Sequence, residues 1–155
     1  MTDSDYPEDG QAFVTSYLLY LLAAVSDRAS AEFHAHARAA GLRVPEWRVL
    51  ACLADEDGAM VTRLARLSLM EQSRLTRIID QMAERGLVSR RSDPEDRRRV
   101  RVFLTDAGRD LALRLIADAR EHEARILDTL GTEDSDRIKS ILKAMLAEFE
   151  TQENG

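Results

Sequence analysis

From residue 11 onward apolar side chains recur at helical spacing: Phe13/Val14, Tyr17/Leu18, Leu21/Leu22, Val25 and then Phe33. Positions three and four apart share one side of an α-helix, so the stretch reads as one long helix closed at Gly41, where a left-handed residue can end the last turn. About thirty residues make a rod of roughly 45 Å, longer than one small core needs, and a partner subunit would cover the excess. Pro45 suits the first turn of a second helix whose apolar side carries Trp47, Val49, Leu50 and Leu53. After a turn at Asp57-Gly58 come a short helix from Val61 to about Leu67, a break around Ser68, and a helix from about Glu71 to Arg85, stopped by Gly86. Leu75, Ile78, Ile79 and Met82 form the inner stripe of that last helix. Gln72, Ser73, Arg74, Thr76 and Arg77 are left outside, near its N-terminal end.

The period then changes from helix to strand. Residues 87–91 and 100–104 read as two strands, the second alternating with Val100, Val102 and Leu104 on one face, around a polar loop at 92–99 that contains Pro94. Thr105 can cap a helix running from Asp106 to about Leu130. Gly131 breaks the chain, and Thr132 is placed to cap a last helix with Ile138, Ile141/Leu142, Met145/Leu146 and Phe149 in its stripe. Residues 1–10, polar with a Pro and a Gly, read as a flexible segment. The expected fold class is mainly α with one small β-hairpin.

Composition narrows the function. The 155 residues are 45% hydrophobic, enough for one core, and 7 Gly with 3 Pro leave little room for an all-β fold. A lone cysteine, Cys52, excludes an intrachain disulfide and fits a reducing compartment. Asp3, Asp5, Glu8 and Asp9 precede the first cation, Arg28, which is the reverse of an export signal, and the apolar run at 17–25 is too short to span a bilayer. The expectation is a soluble, cytoplasmic protein with no membrane partner. Net charge is −6, which at first argues against nucleic acid. Residues 63–101, however, hold 11 Arg against 6 acids, a local +5, while the remainder carries −11. Phosphate contacts depend on local charge, so a basic centre between acidic arms keeps DNA in view.

Two short helices followed by a third that exposes Gln, Ser, Arg and Thr at its leading end form a helix-turn-helix pattern. Such a helix fits the major groove, and those side chains can donate to or accept from base edges and phosphates. The adjoining hairpin carries Arg90, Arg91, Arg97, Arg98, Arg99 and Arg101. Guanidinium groups suit phosphates and the narrow, electronegative minor groove, which makes the hairpin a wing.

The segment Ser92-Asp-Pro-Glu-Asp-Arg-Arg-Arg-Val-Arg-Val-Phe-Leu-Thr105-Asp-Ala-Gly108 resembles the wing signature of the MarR (multiple antibiotic resistance regulator) family, D-x-R followed by strand, L-T and a nearby Gly. The match falls on Asp96, Arg98, Leu104, Thr105 and Gly108. Residues 75–88 resemble the family's recognition helix running into the first wing strand, and the order of elements agrees over about 11–152. The resemblance implies one domain over 11–152. Within it, helices at about 11–40 and 106–152 would interlock in a homodimer, and a winged helix-turn-helix lobe would occupy about 45–105. It implies that Arg98, with Arg97 and Arg99 beside it, enters the minor groove, that Asp96 orients Arg98, and that Gln72, Ser73, Arg74, Thr76 and Arg77 face the major groove. Its double-stranded DNA partner would be a pseudo-palindromic operator with half-sites about 10 bp apart. It further implies a repressor released by a small aromatic or phenolic acid, or its thioester. Tyr17, Tyr20, His34, Trp47 and Arg48 are the candidates for that ligand's pocket.

Other readings stay open beside this one. Arg90 and Arg91 could be a solvated face, and Arg63 and Arg85 could simply pair with acids such as Glu84. Cys52, next to apolar neighbours, reads as a buried, inert thiol rather than a redox sensor. His34 and His36 point about 200° apart on a helix and cannot share one metal ion unaided. Structural histidines are therefore expected, with no metal and no cofactor, although a metal- or redox-responsive regulator of the same fold is an alternative. The sequence holds no Gly-rich phosphate loop, H-E-x-x-H, G-x-S-x-G or paired-cysteine spacing, so nothing in it asks for an enzyme. A helical dimerisation or adaptor module that never touches DNA is the remaining competitor, and it leaves the arginine-rich hairpin unexplained.

Overall fold

The computed structural model describes residues 12–153. The flexible segment expected at 1–10, and Gln11, lie outside the described residues. The element order is α1 (Phe13–Ser16), α2 (Leu18–Ala39), α3 (Val44–Asp55), β1 (Ala59–Met60), α4 (Val61–Leu67), α5 (Gln72–Glu84), β2 (Val88–Ser92), β3 (Val100–Leu104), α6 (Asp106–Asp128) and α7 (Thr132–Glu153). It is the mainly helical, winged arrangement that the periodicity predicts.

Three local differences have physical reasons. The expected first helix is two, because Tyr17 takes an extended conformation (φ −73°, ψ 123°) between α1 and α2. Apolar spacing continues on both sides of that single residue, so periodicity is blind to the break; Phe13 stacks on Tyr17 across it, with centroids 4.9 Å apart. Strand β1, two residues long, was not expected, since so short a piece has no pattern of its own. It exists through its pairing with β3, Ala59 opposite Val102 and Met60 opposite Arg101. Thr132 is the first residue of α7 rather than its cap. Gly131 precedes it at φ +79°, and its carbonyl accepts from the amide and the hydroxyl of Ser135.

The other boundaries follow their local chemistry. Gly41 closes α2 at φ +84°, its amide donating to the Arg38 carbonyl at 2.9 Å, while Leu42 donates back to Ala37 at 3.0 Å. These bonds satisfy carbonyls that the helix end would otherwise leave unpaired. Pro45 lies in the first turn of α3. The sheet is antiparallel in the order β1-β3-β2, with Val88 opposite Leu104 and Ser92 opposite Val100, so residues 93–99 form the tip of the hairpin.

The core lies where α3, α4, α5 and the sheet meet. Leu50, Leu53, Leu64, Leu75, Ile79, Met82 and Val102 are fully buried there, and Ala112 and Leu115 of α6 close it from one side. Of the alternating face expected on β3, Val102 is buried while Val100 and Leu104 are partly covered. Outside this core the helices are thinly packed. No residue of α1 or α7 is buried, and α2 buries only Phe33 and Ala37.

The Thr105–Gly108 step fixes the wing to α6. Thr105 Oγ1 accepts from the Gly108 amide at 3.0 Å and donates to the Gly86 carbonyl at 2.6 Å, while the Thr105 amide donates to the Leu87 carbonyl at 3.1 Å. A Cβ on Gly108 would stand 2.0 Å from that same Leu87 oxygen. Those two members of the wing signature are thus structural: they let α6 lie directly against the backbone that enters β2.

Candidate nucleic-acid interface

The site is built on the N-terminal half of α5. Leu75, Ile78, Ile79 and Met82 anchor one side of the helix in the core, which leaves Gln72, Ser73, Arg74 and Arg77 exposed on the other. Thr76 is partly covered, its hydroxyl donating to the Gln72 carbonyl at 2.9 Å. Glu71 precedes the helix in an extended conformation, and its side chain does not cap the first amides of α5.

The wing stands beside this helix end. A cleft of about 420 Å³ runs between them, lined by Gln72 and Thr76 from α5, Met60, Val61 and Thr62 at the β1–α4 junction, and Arg90, Arg98, Arg99 and Val100 from the hairpin. The fold therefore brings four of the expected contact residues (Gln72, Thr76, Arg98 and Arg99) to one cavity. Ser73, Arg74, Arg77 and Arg97 lie outside its lining, on exposed surface.

Asp96 organises the hairpin tip. Its Oδ1 accepts from the Arg98 amide at 3.1 Å and stands 3.4 Å from Arg98 Nε, while Oδ2 lies 3.6 Å from Arg99 Nε. The Arg98 side chain is nonetheless 93% exposed, tethered at its base and free at its guanidinium. Such pairs add little stability in water, so their effect here is on direction rather than on folding.

Not every arginine of the hairpin is available to a ligand. Arg90 is paired with Asp80 of α5, and Arg91 lies over the Phe103 ring, 4.5 Å from its centroid. Arg101 donates through Nε to Asp93 at 3.1 Å and through Nη1 to the Gly58 carbonyl at 3.0 Å. Asp93 is buried and also accepts from the Glu95 amide at 2.9 Å. That amide bond chiefly, with Arg101 and Arg99, holds the Asp93 carboxyl below the ordinary carboxylate range against the opposing effect of burial. Sequence reading missed this support at the wing's base, although an Asp followed by Pro is a turn signal whose side chain characteristically accepts an amide two residues on. Arg74, Arg77 and Arg97 take part in no ion pair among the described residues. Arg63 and Arg85 do pair with acids, Glu56 and Glu46, rather than with Glu84.

The expected pocket residues are more dispersed. Trp47 meets Phe33 edge-on at 5.0 Å and lines a cavity of about 300 Å³ between α3 and α6, with Ala51, Asp55, Ile116, Ala119, Arg120 and Glu123. His34, partly covered on α2, is held below its ordinary pKa by burial first and then by Arg48 and Arg38, against Asp27. Tyr17 and Tyr20 are exposed near the start of α2. His36 pairs with Asp118 at 2.8 Å and His122 lies 3.9 Å from Glu32. Among the described residues no group of three His, Cys, Asp or Glu side chains could hold a metal ion, and no helix is long and apolar enough to cross a membrane. Cys52 is half-buried, and burial, with Asp55, pushes its thiol up against the influence of Arg48 and its own backbone bond. A thiol raised in this way is a poor nucleophile.

The MarR family model matches residues 42–100, the segment that holds α3, β1, α4, α5 and β2 and ends at the first residue of β3. The crystal structure of a MarR family transcriptional regulator from Silicibacter pomeroyi DSS-3 is 60% identical and superposes with a TM-score of 0.81, covering 90% of this chain and 99% of that one. The transcriptional repressor IacR of Pseudomonas putida is 28% identical over 132 residues, 85% of this chain and 79% of its own length. CouR, a transcriptional repressor bound to a 23-mer DNA duplex, is 26% identical with a TM-score of 0.77 over 87% of this chain and 96% of its own. A Mycobacterium tuberculosis MarR family protein in complex with salicylic acid is 28% identical, with a TM-score of 0.66 over 83% of this chain and 95% of its own. The chain belongs to the MarR family and is a transcriptional regulator, not an enzyme.

Proposed function

We propose that this regulator is a homodimeric repressor that sets two winged lobes on a pseudo-palindromic operator. The observation that carries the reading is the shared cleft: the exposed leading end of α5 and the tethered, outward-facing Arg98 lie on the same side of the lobe. On double-stranded DNA, Gln72, Ser73, Arg74, Thr76 and Arg77 face the major groove, while Arg97, Arg98 and Arg99 reach the adjacent minor groove, with Asp96 directing Arg98. That CouR is a repressor bound to a DNA duplex supports DNA as the partner.

Dimerisation is supported by what the single chain leaves uncovered. Leu18, Leu19 and Val25 of α2 and Ile141, Leu146 and Phe149 of α7 are each half or more exposed. Patches of that kind mark association surfaces. The helices at about 11–40 and 106–152 would then form the dimerisation region and 45–105 the DNA-binding lobe. Tyr17, between α1 and α2, and Tyr20 of α2 are exposed beside these residues, where a partner would cover them.

For an effector, the cavity beside Trp47 offers an aromatic ring, the apolar walls Ala51, Ile116 and Ala119, and the Arg120 guanidinium. That combination suits an aromatic acid, and a relative was crystallised with salicylic acid; His34 and Arg48, the other expected pocket residues on α2 and α3, are not part of this lining. Occupancy would change operator affinity by favouring a lobe spacing that no longer fits successive grooves, by about 5–150-fold for a typical coupling.

The test is a titration of the purified protein against its own upstream intergenic DNA and a scrambled duplex at two salt concentrations, with salicylate as the first effector probe. Tight binding to the upstream DNA, one dimer per duplex, a steep salt slope and release by salicylate are expected. Equal, weak binding to both duplexes would place the operator elsewhere or make the protein a ligand-dependent binder. No binding even at low salt would favour a dimerisation module instead.

A further inference from the structure

The most deeply buried charged side chain among the described residues is not at the DNA face but behind it. Glu46, in the first turn of α3, is 2% exposed. Its Oε1 accepts from Arg43 Nη2 at 3.0 Å and Nε at 3.3 Å, and its Oε2 accepts from the Arg43 amide at 2.9 Å and from Arg85 Nη1 at 3.1 Å. Arg85 is the residue that ends α5, and its other arm, Nη2, donates to the Gly41 carbonyl at 2.7 Å. Arg43 also donates to Gln81, in the last turn of α5. One carboxylate and two guanidiniums thus join the end of α2, the start of α3 and the end of the recognition helix.

An apolar side chain could have filled this position without desolvating a charge; here the carboxylate is buried while Arg43 and Arg85 stay 59% and 44% exposed, so water screens part of what the pairs add to stability. What the charged joint supplies is direction. The planar Arg85 fork, 44% exposed, aims one arm at the Glu46 carboxylate and the other at the Gly41 carbonyl, a two-point contact that favours one orientation of α5 against the end of α2.

Orientation matters there because α5 acts as a lever. The 13 residues of α5 span about 20 Å, so a rotation of about 10° at Arg85 moves the leading end, with Gln72 and Arg74, by about 3 Å, close to one base-pair rise. We propose that Glu46 is a positioning residue for DNA recognition: through Arg85 it locks the recognition helix to the end of α2 and so sets the half-site spacing that the dimer accepts. The inference rests on the dimeric DNA-binding reading above. Glu46 touches no DNA; it acts through the pitch of α5.

The experiment starts by selecting the wild type's preferred duplex from a random pool and making versions with one base pair added or removed between the half-sites. Glu46→Gln, nearly the same shape without the charge, and Arg85→Lys, the same charge without the fork, are titrated against all three. Folding and dimerisation are checked by thermal melting and light scattering. Each variant is expected to bind the preferred duplex about tenfold more weakly, and to shrink the wild type's preference for it over the shifted duplexes by about tenfold. A folded variant that melts lower but keeps the full spacing preference would show the joint to be structural only and overturn the proposal. Should Glu46→Gln fail to fold, Arg85→Lys decides the question by the same ratio. A wild type with no spacing preference overturns this inference alone. A wild type that binds no duplex overturns the DNA-binding reading with it.

Discussion

Gly108 shows how a single missing side chain shapes the molecule. Its Cα lies so near the Leu87 carbonyl that an added Cβ would sit 2.0 Å from the oxygen, and that oxygen is fixed by the Thr105 amide. Neither side can yield without separating α6 from the hairpin. Gly108→Ala is expected to cost about 3 kcal/mol, the upper part of the range for overpacking, read as a fall in the thermal midpoint. An unchanged midpoint would mean that the backbone of α6 relaxes freely at this point. Leu69 is the opposite case. It holds φ +58° after α4, where glycine is usual, and is 80% exposed. Leu69→Gly loses little packing and relieves the left-handed strain, so a gain of up to about 1 kcal/mol is expected in the same melt. At the proposed DNA face, Arg98→Ala should weaken operator binding while light scattering still reports the proposed dimer, because the Arg98 guanidinium is exposed and its tie to Asp96 contributes little to folding. Unchanged affinity would remove the wing tip from recognition.

At the scale of elements, legibility followed the length of the pattern. α4 begins and ends where its apolar spacing places it, and the inner stripe of α5 is buried residue for residue, because each repeats a period over several turns. What escaped has no period: the extended Tyr17, the two residues of β1 and the shift of Thr132 into α7 are each decided by one or two positions. The candidate site divided in the same way. Exposed α5 side chains and the arginine-rich tip could be read from spacing, whereas the use of Arg101 to brace the wing through Asp93 could not. That pair depends on β3 bringing residue 101 beside residue 93 and the Gly58 carbonyl. Glu46 was equally invisible, since its partner Arg85 is 39 residues away. Its environment makes a pH prediction. Burial acts to raise the Glu46 carboxyl, but the Arg43 amide and side chain, with the charge of Arg85, outweigh it and hold the group below its ordinary value. A group depressed in the folded state stabilises above its unfolded pKa, and that contribution is lost as pH falls through the folded one. The thermal midpoint of the wild type should therefore drop on acidification below the ordinary carboxylate range, and Glu46→Gln should show a shallower drop. Parallel curves would mean that Glu46 titrates alike in the folded and unfolded chains.

For the whole molecule the governing fact is an imbalance between a dense lobe and thinly covered helices. The lobe buries Leu50, Leu53, Leu75, Ile79 and Met82 completely, whereas Ile141 of α7 is 50% exposed and Leu146 63%. A helix with no buried residue gains little from tertiary packing within one chain, and such packing supplies most of a helix's stability in proteins. If a second copy covers this face, folding of the outer helices and assembly are one event, while the lobe keeps its own core. Replacing both Ile141 and Leu146 with glutamate tests this arrangement, because it places two charges in the proposed interface and none in the lobe. Light scattering should report a monomer, and far-ultraviolet circular dichroism should lose part of the helical signal while the lobe's cooperative melt persists. Affinity for the full operator should fall by about a hundredfold or more, since the second lobe is no longer delivered at the high effective concentration that linkage provides. Binding to a single half-site should change little, because α5 and the wing are untouched. A variant that remains dimeric would place the interface elsewhere. A monomer that still bound the full operator with wild-type affinity would show that one lobe suffices, and the role of the long helices would then have to be sought outside DNA recognition.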